Sequence, residues 1–383
     1  MHIDRRATGL LAAFGVFGFF WGGWAAVLPD IKQTVGGSDA SFGLALLGVG
    51  AGALPAMLAM GPIYDRYGES TVPPLLVLFA VTTLVPGTAP STLWLFASLV
   101  TLGALSGMLD VAINTAAVAW EATTGKRLLN LLHAGFSGFF LVSSISVGLA
   151  RGAGAGHLAV LISLAVVVAL AAPLNRVPRS AARKHHERPQ LRLEPLFLFL
   201  GALCGLGFVV EGAMEAWSAV HIERTLGAGP AVGGMGPGVY AAAMLAGRSL
   251  AHFAGARVSD HRLLITGATF AAGGVLVAAV APTVLLALVG FACAGLGIAV
   301  TAPTLFGIAG REASEEARGS ALSTVTTVAY LGFLFGPPIV GWISGASSLR
   351  FGVGFMAIVC LVLAALSVLI PRAVSARRAS FNR

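Results

Sequence analysis

The sequence predicts an all-α polytopic membrane protein with twelve transmembrane helices in two sets of six. Three observations carry this. Only 10% of the 383 residues are charged and 57% are hydrophobic, where a soluble domain carries about 25% charged residues; mean hydropathy is +0.87. The apolar residues gather in runs of roughly 20, the length that crosses a bilayer core as a helix, and the runs lack the polar–apolar alternation of a barrel strand. The runs also fall evenly on either side of one basic, proline-containing stretch, 176–195.

Taken in order, the first run, 8–28, follows Arg5-Arg6 as a signal peptide would. It is longer than an h-region and lacks an A-x-A site, so it reads as the first span. The second, 40–60, ends at a glycine- and charge-containing loop, 61–68. The third and fourth are 71–88 and 91–120; the fourth carries Asp110 and Asn114. The fifth, 128–150, starts after Lys126-Arg127, and the sixth, 156–174, runs into the basic stretch. The seventh, 196–220, carries Glu211 and Glu215; the eighth, 231–252, carries Pro237 and Arg248. The ninth is 263–281, the tenth 284–308 with Pro303, the eleventh 320–344 with Pro337-Pro338, and the twelfth 350–370 before a short basic tail. Intramembrane prolines are tolerated where neighbours or a cavity re-satisfy the freed carbonyls. The expected organisation is a first unit 1–175, a linker 176–195 and a second unit 196–383.

Charge predicts the topology. One set of connecting segments holds nineteen Lys and Arg; the other holds only Lys32, Arg151, Arg224 and Arg350. The positive-inside rule puts both termini in the cytoplasm. The net charge of +8 is then mostly a topology signal. The 176–192 stretch lacks interleaved aromatics, so anionic lipid rather than nucleic acid is the expected neighbour. His185-His186 has no further ligands beside it, and Cys204, Cys293 and Cys360 all fall inside spans at no metal-site spacing. No metal or cofactor is expected. Walker A, H-E-x-x-H, C-x-x-C and G-x-S-x-G patterns are absent, which argues against ATP-driven transport and against an enzyme.

The two sets echo each other. After the second run stands Gly61-Pro-Ile-Tyr-Asp65-Arg66-Tyr-Gly68, an intact G-x-x-x-D-R-x-G; after the eighth, Ala256-Arg-Val-Ser-Asp260-His261-Arg262 keeps the acid and the base. The pattern suits a tight turn between helices, with Gly61 permitting close approach, Gly68 the turn, and Asp65 a helix-end partner. With this loop, six plus six spans and a basic centre, the chain resembles the major facilitator superfamily over nearly its whole length. Leu109-Asp110-Val-Ala-Ile-Asn114, Asn130-Leu-Leu-His133-Ala-Gly-Phe-Ser137, Glu211-Gly-Ala-Met-Glu215-Ala-Trp217-Ser218 and Gly332-x-x-x-Gly336-Pro337-Pro338-x-x-Gly341 are similar to its YbjJ-like branch, and more distantly to fucose permeases. The resemblance implies two six-helix bundles, pseudo-symmetric and built of inverted repeats, that rock around a central site.

Within the spans, only three carboxylates lie deep: Asp110, Glu211 and Glu215. A charge at mid-bilayer costs at least about 2.5–3.5 kcal/mol, so such a residue points to function; the alternatives are a structural ion pair near the cytoplasmic end for Asp110 and a solvated rim position for Glu215. Asp110 and Asn114 share one helix face at i, i+4, as do Glu211 and Glu215. The like-charged pair favours holding a proton on at least one carboxyl, which suits proton coupling. His133, one turn after Asn130, is either a proton relay or an interfacial histidine. Trp21, Trp24 and Trp217, in the first and seventh spans, together with Asn114 and Asn130, are candidate solute contacts, with the interfacial aromatic belt as the alternative for Trp24. Arg248 is either a gate residue pairing with a carboxylate or a snorkelling cation near a span end, the preferred reading. Gly61, Asp65, Arg66, Gly68, Asp260 and Arg262 are the candidate gate.

The expectation is a monomeric secondary transporter of a small neutral or cationic organic solute, driven by protons across the lipid bilayer. A proton-antiporting exporter, an uncoupled facilitator and a non-transporting sensor or scaffold are the alternatives. Two departures matter. The G-x-x-x-G-P-x-x-G pattern of the family's drug exporters is absent from the fifth run and appears in the eleventh. The first run, ending Trp24-Ala-Ala-Val-Leu-Pro29, lacks the cavity acid of fucose permeases, with Asp30 placed at the rim.

Overall fold

A computed structural model describes residues 4–175, 194–254, 258–314 and 317–381. The linker cations at 176–192, His185-His186 and Arg257 lie outside the described residues. Each predicted run falls on a helix: α1 Arg5–Val35, α2 Asp39–Tyr67, α3 Val72–Thr82, α4 Thr92–Thr124, α5 Leu129–Gly152 and α6 His157–Leu170. The second set is α7 Pro195–Val220, α8 Met235–Ala254, α9 Asp260–Val280, α10 in two pieces Val284–Ile298 and Thr301–Glu312, α11 Arg318–Ala346, and α12 Leu349–Ser367. A tail helix, α13, covers Ile370–Phe381. Ten described helical runs are long and apolar enough to cross a membrane, one of them, Asp39–Thr88, taking in two predicted spans.

Short polar residues set the helix starts. Asp4, Ser38, Ser91, Thr283 and Ser348 stand at N-caps, and each side chain accepts a backbone N–H three residues on. The Asp4 carboxylate accepts from the Ala7 N–H at 2.8 Å and from Trp120 Nε1–H at 3.1 Å, so it ties the start of α1 to α4. These bonds, the Ala7 N–H foremost, hold its carboxyl below the ordinary value of 3.8. At the far end of α2 the sequence reading needs correction. The expected loop 61–68 is the last two turns of α2, running through Pro62 to a C-cap at Gly68, whose φ of +59° suits glycine. A side chain at Gly61 would meet nothing within 4 Å, so Gly61 makes no close helix approach.

Close approach occurs elsewhere. A Cβ at Gly18 or Gly22 of α1 would strike the carbonyls of Phe136 and Phe140 on α5; one at Gly52 of α2 or Gly103 of α4 would strike the partner's backbone. In the second half, Gly332 and Gly336 of α11 lie on Gly205 and Val209 of α7, and Gly247 of α8 and Gly295 of α10 lie on each other's helices. The pairings α1 with α5 and α2 with α4 recur as α7 with α11 and α8 with α10. Small residues at the seam allow this, because in lipid helix association rests on packing rather than on hydrophobic burial.

The helices form two compact units. One is Met1–His186 with Ile222–Gly238; the other is Glu187–His221 with Val239–Arg383. The short segment after α7 therefore belongs with the first unit, while the helices it joins belong with the second.

The prolines act differently from one another. Pro303 stands in the first turn of the second piece of α10, just past the break at Ala299-Val300, and Pro237 in the first turn of α8. The Pro337-Pro338 pair lies inside an unbroken α11, where Trp217 Nε1–H donates to the Pro337 carbonyl at 3.0 Å.

Candidate functional site

In the second unit the charged cluster is built by α7 and α8. Glu211 and Glu215 are one turn apart on α7, and both stay partly exposed in a stretch, 209–220, that is otherwise buried. Arg248 Nη2 lies 3.2 Å from Glu211 Oε1. Snorkelling, the reading the sequence favoured for Arg248, gives way to an ion pair: its neighbour Gly247 seats α8 closely on Leu296, and the guanidinium turns to the α7 carboxylate. Glu215 makes no ion pair with any described residue. Tyr240 stands two turns before Arg248 on the same stripe of α8. It is 0% exposed, and its hydroxyl has no hydrogen-bond partner among the described residues. Both carboxylates and Arg248 are close enough to Tyr240 to interact with it electrostatically.

In the first unit Asp110 is half-buried on α4, and Asn114 Nδ2 donates both to its carboxylate, at 3.1 Å, and to its carbonyl, at 2.9 Å. It too makes no ion pair with any described residue. The amide occupies one carboxylate oxygen and leaves the other open to a further donor. Trp21 is half-buried and packs edge-on against Phe20 at 5.2 Å and Phe17 at 6.4 Å. His133 is exposed at the start of α5, its ring edge-on to Phe14 at 5.3 Å, and its carbonyl takes the Ser137 hydroxyl. Asn130 is exposed.

The other two tryptophans named from the sequence are packed away. Trp217 is 0% exposed, braced on the Pro337 carbonyl; Trp24 is 4% exposed and stacks on Phe20 at 6.3 Å. In this structure neither presents a ring face to a solute. Trp217 lies against α11 and Trp24 against Phe20 of its own helix, a burial that residue type alone does not reveal.

Each unit's candidate gate residues stand at helix ends. Asp65 and Arg66 are exposed, Arg66 stacking on Tyr67 at 5.3 Å, and Asp65 makes no ion pair with a described residue. In the second unit Asp260, in the first turn of α9, pairs with Arg311 at the end of α10, and Arg262 is exposed.

A second ion cluster went unread in the sequence, at the helix ends opposite the chain termini. Arg151, with its side chain 1% exposed, sits at the end of α5. Its Nε–H donates to Asp30 at 2.7 Å. Nη1 donates to the Ala26 carbonyl at 2.6 Å and to Glu223 at 2.7 Å; Nη2 donates to Asp30 and, at 3.0 Å, to Glu223. All five guanidinium donors are used. Asp30 falls in the last turns of α1, which runs on past Pro29 to Val35. Glu223 comes from a π-helical turn, His221–Thr225. The next residue of that turn, Arg224, joins Lys32 in pairing with Asp39; Lys32 lies 2.8 Å from it. Beyond, Ser144 donates to the Gly234 carbonyl at 2.6 Å, and a Cβ at Gly148 would fall 3.0 Å from Gly234 Cα and the Pro230 carbonyl. The sequence did hold a signal. Lys32, Arg151 and Arg224 are three of the four cations on the sparse side of the charge tally, and each has an acid to hold it there. The fourth, Arg350, donates to the carbonyls of Ala279 and Ala281, both at 3.0 Å, at the end of α9.

Among the described residues each unit therefore offers carboxylates with one ion pair or none, and ion clusters stand at helix ends. A model of the Major Facilitator Superfamily matches residues 214–382. The chain is 31% identical over 361 residues to an uncharacterised MFS-type transporter of Yersinia pestis, covering 92% of each. It is 28% identical over 375 residues to the membrane protein MosC of Rhizobium meliloti, covering 95% of this chain and 90% of that one. Among solved structures, a bacterial homologue of the human lysosomal transporter Spinster, inward-facing and occupied, superposes with a TM-score of 0.78 at 14% identity, covering 96% of both chains. The nucleoside transporter NupG gives 0.73 at 14% identity, covering 98% of this chain and 99% of that one.

Proposed function

Because this chain belongs to the major facilitator superfamily, we propose that it is a secondary active transporter that carries a small neutral or cationic organic solute by alternating access, coupled to protons. The bacterial inner membrane is its site, with both termini cytoplasmic, and it works as a monomer. One observation carries the coupling: Asp110 and Glu215 lie deep in apolar helices and neither has a basic partner among the described residues. A carboxylate left without an ion pair inside the bilayer is costly. The cost falls away when a proton binds, and exposure to alternate sides then turns protonation into work. Glu211, held by Arg248, is the third member; a proton or a solute cation competing for it would release the guanidinium.

Asp110 with Asn114 offers fixed acceptors for a hydroxylated solute, the second carboxylate oxygen and the amide oxygen, both amide N–H groups being held by Asp110, with Trp21 supplying an apolar ring near the same unit's surface. An aromatic contact there contributes about 0.5–2 kcal/mol, the upper end for a desolvated cation. Asp65 and Arg66 form one gate at the cytoplasmic ends of the helices. The Arg151 and Asp39 clusters are the better-built gate on the other side, holding the Ile222–Gly238 segment to the first unit.

A thermal-shift screen of metabolites on the purified protein identifies a solute. Vesicles containing the protein and a pH-sensitive dye then report proton movement with uptake. Asp110→Asn and Glu211→Gln are expected to fold and to lose pH-driven accumulation. Full accumulation by both variants overturns the coupling.

A further inference from the structure

We infer that Glu215 and Tyr240 form an ammonium site, so that the solute is a protonated primary or secondary amine rather than a neutral or anionic compound. The inference rests on the transport reading above and narrows it.

Charge is the first argument. In the second unit's interior cluster Glu211 has Arg248 at 3.2 Å, and Glu215, one turn further along α7, has no ion pair with any described residue. The cluster is one negative charge in excess. An anionic solute meets that excess and finds Arg248 already engaged. A monocation completes it.

Geometry is the second. Consecutive spanning helices run in opposite directions, so the stripe Tyr240–Met244–Arg248 of α8 descends as Glu211–Glu215 of α7 ascends. Eight residues separate Tyr240 from Arg248 and four separate Glu215 from Glu211, about 12 Å and 6 Å along the axes. With Arg248 fixed on Glu211, Glu215 lies at a level between Arg248 and Tyr240. The Tyr240 hydroxyl is enclosed and unpartnered. A buried hydroxyl of that kind forfeits a hydrogen bond unless something supplies one.

Chemistry is the third. A carboxylate and a phenol oxygen are both acceptors, and an ammonium group is a compact donor of several N–H bonds with the matching charge. It satisfies both with one ligand atom. A neutral alcohol could satisfy the hydroxyl but leaves the carboxylate unpaired. A proton on Glu215 removes the attraction, so amine and proton compete there. The charged or titratable groups facing the pair are Glu211 on α7, Arg248 on α8 and Cys360 on α12.

The test uses the full-length protein in nanodiscs and a panel of primary monoamines against their isosteric alcohols, phenethylamine against 2-phenylethanol first, with binding read by calorimetry. Amines are expected to bind at least tenfold tighter than the matched alcohols, and less tightly as pH falls. Glu215→Gln should abolish that preference. Tyr240→Phe should weaken amine binding about three- to tenfold with an unchanged melting temperature. Equal binding of alcohols, retention of the preference by Glu215→Gln, or no binding by any amine of the panel overturns the site. The two readings fail separately. Amine binding without proton movement in vesicles sinks the coupling and leaves the site standing. Proton-coupled uptake confined to neutral or anionic solutes does the reverse.

Discussion

Arg151 shows what a single buried cation demands. Its five N–H groups find two carboxylates and one carbonyl, and its side chain is 1% exposed. Removing one partner of a buried ion cluster costs about 3–5 kcal/mol because the remaining charges stay behind uncompensated. Arg151→Ala is therefore expected to lose that much, measured by thermal unfolding in detergent, and Arg151→Ala with Glu223→Gln to lose less than the sum of the two single changes. Trp217 is a different case, a neutral donor on a carbonyl. Trp217→Phe keeps the ring in place and removes one bond, about 0.5–1.5 kcal/mol. Trp217→Ala empties a core site, about 3–5 kcal/mol. If Trp217→Ala leaves the melting temperature alone and abolishes solute binding instead, the ring contacts the solute and the packing account is wrong. Asp4 brings a pH effect of definite sign. Its folded carboxyl is held below 3.8, so its contribution is present above that value and is lost as pH falls through the lower folded one. Unfolding of Asp4→Asn should accordingly be less sensitive to pH in the acid range than that of the native chain.

At the scale of the element, glycine placement decides which helices meet. Gly52→Val or Gly332→Val puts atoms where a neighbouring backbone already lies. Overpacking of this kind costs about 1–3 kcal/mol, and more where backbone must shift. Gly138→Ala, with nothing within 4 Å, should cost little beyond noise. Size-exclusion profiles and melting temperatures of the three variants check this, and an unstable Gly138→Ala would show that the seams lie elsewhere. The same scale shows what was readable from the chain. Helix existence was legible because bilayer thickness imposes a length on apolar runs, and the acids Asp110, Glu211 and Glu215 stood out because apolar runs seldom contain any. The far end of α2 was not legible: Pro62 and two charged residues look like a loop, yet a helix emerging from lipid keeps its hydrogen bonds until Gly68 lets the backbone turn. Arg248 was misread because α8 gives no hint of its partner on α7. Trp217 and Trp24 stood out for ring type, and the carbonyl that braces Trp217 belongs to Pro337, far away in sequence. The Arg151 cluster draws residues from three regions of the chain, and only the oddity of cations on the sparse side pointed to it.

For the whole molecule, the proposal of alternating access turns on the gate residues. Asp65→Asn is expected to favour the state open to the cytoplasm, read as faster labelling of a cysteine introduced into that side's lining; unchanged labelling rejects the role. The Ile222–Gly238 segment carries a further consequence, for dividing the gene. A cut in the linker yields two fragments of nearly equal length, and neither matches a compact unit. The first fragment, made alone, lacks Glu223 and Arg224. Its Arg151 keeps Asp30 and the Ala26 carbonyl but loses two of its bonds, and Asp39 keeps only Lys32. The second fragment carries an overhanging piece whose mate is elsewhere. Co-produced halves should therefore find each other in the membrane through that loan of seventeen residues. A first half extended by a tethered copy of 222–238 should be the more stable when made alone.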